Sequence, residues 1–191
     1  DAFRALYQAE LAELPREMPA ASPVPLMMPA AGGTAHPPAA GFARWWQHHV
    51  QPQKQPGYVA VELSPNLGVI DADQLEALAD IVDRYGERAL RATNTQGAVL
   101  RWVAHEQLPA LHAELAAIQL ATPQPLLLRR QVVCAGAATC RLGICLARGL
   151  AQAITARLAG SGLELLNGTG EIRLHISGCP NACGRHPLAQ I

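Results

Sequence analysis

Four of the five cysteines fall into two spaced pairs: Cys134 and Cys140 as C-x5-C, and Cys179 and Cys183 as C-x3-C. Thiolates carried on two separate loops can converge on one soft metal centre, because a cluster needs several deprotonated sulfurs at once. The second pair lies in Gly178-Cys179-Pro180-Asn181-Ala182-Cys183-Gly184, a stretch with little side chain beyond the candidate ligands. Spacing alone leaves three readings open: an iron–sulfur cluster, a structural zinc, or thiols that are simply buried or oxidised. Zinc knuckles favour closer pairs on short loops. A secreted disulfide framework fits poorly with an odd number of cysteines in a chain that is 50% hydrophobic.

Around these residues the composition sets limits. A chain of 191 residues has room for one or two domains and a sizeable core. Its formal net charge is zero, which removes the basic field that nucleic-acid binding requires. No apolar run reaches the length of a membrane span and nothing resembles a signal peptide, although the sequence opens at Asp1 without a methionine. Sparse cysteines point to a reducing compartment, and the cytoplasm is the expected location. Fourteen of the fifteen Lys and Arg residues are arginines, Lys54 being the exception. Base composition accounts for most of them, but the planar guanidinium also suits a ligand with many carboxylates.

Elements must bring the cysteines together. Residues 1 to about 16 read as a short amphipathic helix carrying Phe3, Leu6, Tyr7 and Leu11, and the Pro- and Ala-rich stretch from Pro15 to Pro38 reads as a linker. The Phe42 to Trp46 cluster should dock that arm by packing. Tyr58–Leu63 has strand character. Asp71 with Gln74 forms a capping-box signal for a helix with Leu75, Leu78, Ala79, Ile81, Val82 and Tyr85 on its apolar stripe, and Gly86 stops it. Strands are expected over Ala89–Thr93 and Ala98–Val103, then a helix over Glu106–Ile118. This β-α-β-β-α order is most of a ferredoxin-like α+β unit. Further on, Leu126–Val133 reads as a strand delivering Cys134. A helix is expected over 141–159, with Leu142, Cys145, Leu146, Leu150, Ile154 and Leu158 on one face, and Glu171–Ile176 reads as a strand delivering Cys179. The positive end of that helix would favour an anionic centre at Cys140 by ~0.3–1 kcal/mol. Cys145 is expected to be a buried packing thiol. His48, His49, His105, His112 and His186 lack ligand-like spacing and read as surface or linker residues.

The Cys-x5-Cys and Gly-Cys-Pro-Asn-x-Cys-Gly motifs together resemble the cluster-binding signature of the sirohaem nitrite and sulfite reductases. The resemblance extends over residues 50 to 191. It takes in Gln51-Pro52-Gln53-Lys54-Gln55-Pro56-Gly57, the R-x-T-x-x-Q segment Arg91 to Gln96, Leu127-Leu128-Arg129, and His175-Ile176-Ser177. It implies an α+β fold in which a ferredoxin-like half-domain is followed by a partial α/β lobe for sirohaem and a 4Fe–4S cluster. The boundaries are then 1–49 for the helix and linker, 50–121 for the half-domain and 122–191 for the cluster-binding lobe, taken as truncated. Cys134, Cys140 and Cys179 would hold cluster irons, with Cys183 bridging the cluster to the sirohaem iron. Arg91, Asn94 and Gln96 would contact sirohaem, with Asn181 in the cluster loop also on the cofactor; Arg129, Arg130 and Arg185 are further candidates for its carboxylates. Thr95 departs from the family, whose members carry Arg or Asn there. No catalytic side chain is assigned.

The resemblance further implies a six-electron reduction of a small anion, nitrite to ammonia or sulfite to sulfide. The protein's own side chains cannot supply such chemistry. The electron donor would be a ferredoxin or a flavoprotein, and the remaining half of the enzyme would be a partner. The 191-residue chain is expected to be inactive alone. Two competing functions remain: a precorrin-3B synthase-like enzyme, whose loop tends toward Gly-Cys-Ala-Lys-x-Cys where Pro180-Asn181 stands here, and an isolated iron–sulfur or zinc module for electron transfer or structure.

Overall fold

The computed structural model describes residues 2–13, 39–122, 124–159 and 172–191. The expected linker and the glycines at 160–162 and 168–170 lie outside the described residues. Helix α1 (Ala2–Glu13) forms where helical spacing placed it, and Leu6, Tyr7 and Leu11 on it are exposed. Helix α2 (Phe42–His49) turns the aromatic cluster inward. Trp45 is fully buried and tilts against His112 at 4.9 Å between ring centroids.

A four-stranded antiparallel sheet follows, in the order β1-β2-β4-β3, from β1 (Val50–Pro52), β2 (Tyr58–Leu63), β3 (Leu90–Ala92) and β4 (Ala98–Ala104). Period-two burial along β2 sends Val59, Val61 and Leu63 into the core, joined by Ala98, Leu100 and Val103 of β4. Two helices cover that face. In α3 (Ala72–Arg84), Asp71 accepts the Gln74 N–H at 2.8 Å while the Gln74 side chain takes the Asp71 N–H, closing the capping box read from sequence. Leu78, Ile81, Val82 and Tyr85 are buried, whereas Leu75 and Ala79 of the expected stripe face solvent. Both sit on the rim of a helix whose inward arc is narrower than the stripe. Helix α4 (Leu108–Ala117) buries Leu108, Leu111 and Leu115 completely.

The second core gathers Leu127, Val133, Ala147, Ala151, Leu174 and Ile176. Here the structure departs from the sequence reading in three places. Leu126–Val133 is not one strand. Leu126–Arg129 is a helical turn, α5, followed by the two-residue strand β5 (Val132–Val133). The Pro125 carbonyl accepts both the Leu128 and the Arg129 N–H at 3.0 Å, and an apolar run without alternation serves either conformation. The long helix begins at Ala147, not 141: α6 spans Ala147–Ala159. The Ile144 and Cys145 N–H groups go to the Gly178 carbonyl, so the turn at Cys140–Gly143 is not continued as helix. Its inner face is therefore Ala147, Ala151, Ile154 and Leu158, while Leu142, Leu146 and Leu150 are exposed. Third, of the strand expected over Glu171–Ile176 only His175–Ile176 forms among the described residues; this β6 runs parallel to β5, with Val132 opposite His175 and Val133 opposite Ile176.

Candidate metal centre

Both cysteine pairs grow from the same end of the β5–β6 ladder. Cys134 continues it directly, its N–H donating to the Ile176 carbonyl at 3.0 Å, and Cys179 lies three residues past Ile176. The two loops then interlock through backbone. The Ile144 and Cys145 N–H groups share the Gly178 carbonyl at 2.9 Å, while within the first loop Cys140 N–H reaches the Gly136 carbonyl at 3.0 Å and Ala137 N–H the Cys145 carbonyl at 2.9 Å. Such closeness dictates glycine. A Cβ on Gly178 would stand 2.8 Å from both the Cys145 carbonyl oxygen and the Gly136 Cα; one on Gly184 would stand 2.0 Å from the Ile176 carbonyl oxygen.

Within the second loop, Ser177 Oγ accepts the Gly184 N–H at 3.1 Å and so fastens the Cys179–Cys183 turn. The Arg185 carbonyl lies 2.8 Å from His175 Nδ1; since a carbonyl only accepts, Nδ1 carries the proton. Between the loops, the Gly178 N–H donates to Cys134 Sγ at 3.0 Å, the kind of contact that stabilises a thiolate ligand. All five cysteines are free. Cys134 and Cys179 are half-buried, and Cys140, Cys145 and Cys183 are exposed. Cys145 is thus not the buried packing thiol expected, because the helix that would have turned it inward starts two residues later. That helix begins at Ala147, seven positions past Cys140, and not directly after it as expected.

The donor set suits a soft metal: thiols from two glycine-lined loops with a backbone N–H on one sulfur. The thiols are not gathered into one cage. Among the described residues, no three His, Cys, Asp or Glu side chains approach closely enough to share a metal ion. Metal binding free energy ordinarily closes loops of this kind.

The R-x-T-x-x-Q segment forms the β3–β4 hairpin. Arg91 pairs with Glu87 through Nε and Nη2 at 2.8 and 3.1 Å, and Arg101 grips the same carboxylate at 2.8 and 2.9 Å. Hydrogen bonds from Arg101 and then Arg91 hold the Glu87 carboxyl down at about 2. Asn94 is exposed at the tip, its carbonyl accepting from Arg185 Nη1. Gln96 pairs with both backbone groups of Val133 at 2.8 Å. Asn181 is exposed between Cys179 and Cys183. A cleft of about 430 Å³ beside the second loop is lined by Glu62, Asn94, Arg130, Arg173, His175 and Arg185, together with Thr93 and Thr95. Arg130 and Arg173 have no carboxylate partner among the described residues.

Several residues escaped the sequence reading. Glu87 was signalled by its four-residue spacing to Arg91. His49 and His112, taken as surface residues, are 1% and 3% exposed. The helices that carry them bury one face against the aromatic cluster, and burial outweighs their polarity. Burial pushes His49 down to about 4, the Glu62 carbonyl opposing and the Arg129 charge adding to the shift.

Fold and site thus define an α+β protein in which a ferredoxin-like half-domain is clamped to a pair of cysteine loops. Residues 51–118 match the nitrite/sulfite reductase ferredoxin-like half domain. The ferredoxin–nitrite reductase of Spinacia oleracea is 33% identical over 143 residues, covering 74% of this chain and 23% of the spinach protein. A sulfite reductase [ferredoxin] of Mycobacterium tuberculosis is 32% identical over 137 residues, covering 71% of this chain and 24% of that protein. The solved structure of M. tuberculosis NirA protein superposes with a TM-score of 0.60 at 29% identity, covering 82% of this chain and 28% of that one. The chain belongs to the nitrite/sulfite reductase family. It spans about a quarter of the length of these relatives.

Proposed function

We propose that this chain carries the cluster-binding loops of a sirohaem-dependent reductase that converts nitrite to ammonia or sulfite to sulfide. Cys134, Cys140, Cys179 and Cys183 would hold a 4Fe–4S cluster, with Cys183 also serving the sirohaem. When bound, that pair supplies stepwise electron delivery to an anion, chemistry beyond any protein side chain. The chain's own residues do the holding and tuning. Gly178 N–H lowers the charge density on Cys134 Sγ. The cleft of Arg130, Arg173 and Arg185, with Asn94 at its edge, receives cofactor carboxylates. Arg91 and Gln96, which the resemblance places on sirohaem, also pair with Glu87 and Val133.

One observation carries this reading: both cysteine loops leave the same end of β5–β6, interlocked with each other. The units are 1–49, 50–121 and 122–191. A ferredoxin is the first choice of donor, as the names of the relatives specify one. The remainder of the enzyme completes the pocket, and the cytoplasm is the compartment. No described helix is long and apolar enough to cross a membrane.

The test is iron, acid-labile sulfide and zinc analysis with an optical spectrum on anaerobically prepared protein. About four irons and four sulfides per chain, with a sirohaem Soret-type band in the complete enzyme, are expected. Bound zinc with no visible absorption overturns the reading.

A further inference from the structure

The tip of the β3–β4 hairpin touches both cysteine loops. The Gln96 carboxamide donates through Nε2 to the Val133 carbonyl and accepts the Val133 N–H at Oε1, both at 2.8 Å. Val133 is 1% exposed and lies on the edge of β5 that faces away from β6. The amide of Gln96 therefore stands in for a missing neighbouring strand, satisfying two buried backbone groups that would otherwise lose water without replacement. The next residue is Cys134, whose sulfur accepts from Gly178 of the second loop. On the other side of the tip, the Asn94 carbonyl accepts from Arg185, two residues past Cys183, and His175 Nδ1 holds the Arg185 carbonyl.

The tip itself is built to aim Gln96. Thr93 N–H donates to the Gly97 carbonyl at 2.9 Å, and Thr93 Oγ1 accepts the Gly97 N–H at 3.1 Å. Gln96 is held at φ 60°, a left-handed conformation that non-glycine residues adopt reluctantly. A three-residue hairpin loop places its last residue in this region, and here the residue so placed is a glutamine whose side chain crosses to β5.

We propose that this tip sets the register of the two cysteine loops against each other, with Gln96 as its positioning residue. Its purpose rests on the cluster reading above; its contacts do not. The R-x-T-x-x-Q pattern then reads here as architecture: Arg91 locks the hairpin to Glu87, Thr93 closes the tip, and Gln96 crosses to β5.

Amide hydrogen exchange on the full chain tests this through Gln96→Ala and Gln96→Glu. In Gln96→Ala, exchange at Val133 and Cys134 is expected to rise about tenfold, while Val61 and Leu100 in the half-domain core keep their protection. Gln96→Glu keeps an acceptor for the Val133 N–H but turns a carboxylate toward the Val133 carbonyl. Protection at Cys134 should fall at neutral pH. It should recover as pH drops through the carboxylate range, where the protonated side chain donates and accepts as the amide did. Unchanged protection at Val133 and Cys134 in Gln96→Ala overturns the proposal. So does a loss that runs in step with Val61 and Leu100, or a Gln96→Glu response independent of pH. Should Gln96→Ala fail to fold, the acid recovery in Gln96→Glu decides alone. Iron analysis of the same samples judges the cluster reading separately, because the exchange pattern does not depend on iron being bound.

Discussion

Arg129 Nη1 lies 3.7 Å from Glu62 Oε2 at the joint between the two cores, with the arginine side chain 4% exposed. Its Nε and Nη1 have no hydrogen-bond partner. Burial lowers its pKa, the Glu62 charge opposing and Arg130 adding to the effect. A charge taken from water and compensated this loosely costs more than it returns. Arg129→Met is therefore expected to leave stability unchanged or raise it by about 1–2 kcal/mol, while Glu62→Gln, which removes the one counter-charge, lowers it by about 1–2 kcal/mol. Denaturant unfolding of the two variants beside the wild type measures both signs, and a large loss in Arg129→Met would contradict this account.

Acid should weaken the half-domain in two stages. Glu87, drawn down to about 2 by Arg101 and Arg91, keeps its charge in the folded state long after the unfolded chain has protonated. Its contribution is whole above the ordinary carboxylate range and disappears as pH falls toward 2. His49, pushed to about 4 by burial, is neutral when folded, so unfolded chains bind its proton first. Stability should thus begin to decline as pH falls below about 6.5 and go on declining toward 4 from this histidine alone. Thermal melts from pH 8 to 3 measure the two slopes. His49→Gln should flatten the upper one, and Glu87→Gln the lower one.

The aromatic cluster separates neighbours in sequence. Trp45 is fully buried between Phe42, His49 and His112, whereas Trp46 is half-buried and packs at the margin. Trp45→Ala is expected to cost about 3–5 kcal/mol and Trp46→Ala distinctly less. Equal losses in denaturant titrations would mean that α2 docks through both rings.

What could be read from sequence depended on whether local chemistry or distant contacts decided the outcome. Asp71 and Gln74 announced their helix because a capping box is completed within four residues. Strands β2, β3 and β4 fell where sequence placed them, β2 with strict period-two burial, whereas the short β1 was missed. Local pattern misled wherever the second core set the geometry. Leu142 and Leu146 matched helical spacing, yet the Gly178 carbonyl, more than thirty residues away, claims the N–H groups of Ile144 and Cys145 and delays α6 to Ala147. His49 and His112 gave no sign of burial because their partners are the aromatic rings and the Glu62 backbone, brought near by the fold. The cysteines were legible as a set, since their spacing and glycines are sequence properties. The role of Gln96 was not, because Val133 is thirty-seven residues along the chain.

Turnover should require more than this chain. The chain covers 23% of the spinach enzyme, so most of what surrounds the cleft of Arg130, Arg173 and Arg185 in such an enzyme is not supplied by these residues. Isolated protein supplied with reduced ferredoxin is expected to reduce neither nitrite nor sulfite. Ammonia or sulfide formed by the isolated chain would show that its own residues suffice for the pocket.

The fifth cysteine provides the internal control for the other four. Cys145 stands close to both loops, but it is the backbone of Cys145 that joins them, through the Ala137 and Gly178 contacts, and its thiol is exposed. Exchange of sulfur for oxygen there leaves the backbone contacts intact, so Cys145→Ser should bind iron and sulfide as the wild type does. Cys134→Ser, Cys140→Ser and Cys179→Ser each remove a proposed cluster ligand and should lower bound iron severalfold, since oxygen is a harder and poorer donor to an iron–sulfur centre. Cys183→Ser should act differently in the complete enzyme. If Cys183 serves both groups as proposed, its loss is expected to change the optical signature of the tetrapyrrole, not merely the iron content. Iron lost from Cys145→Ser but retained in Cys183→Ser would reverse the assignment of the two thiols.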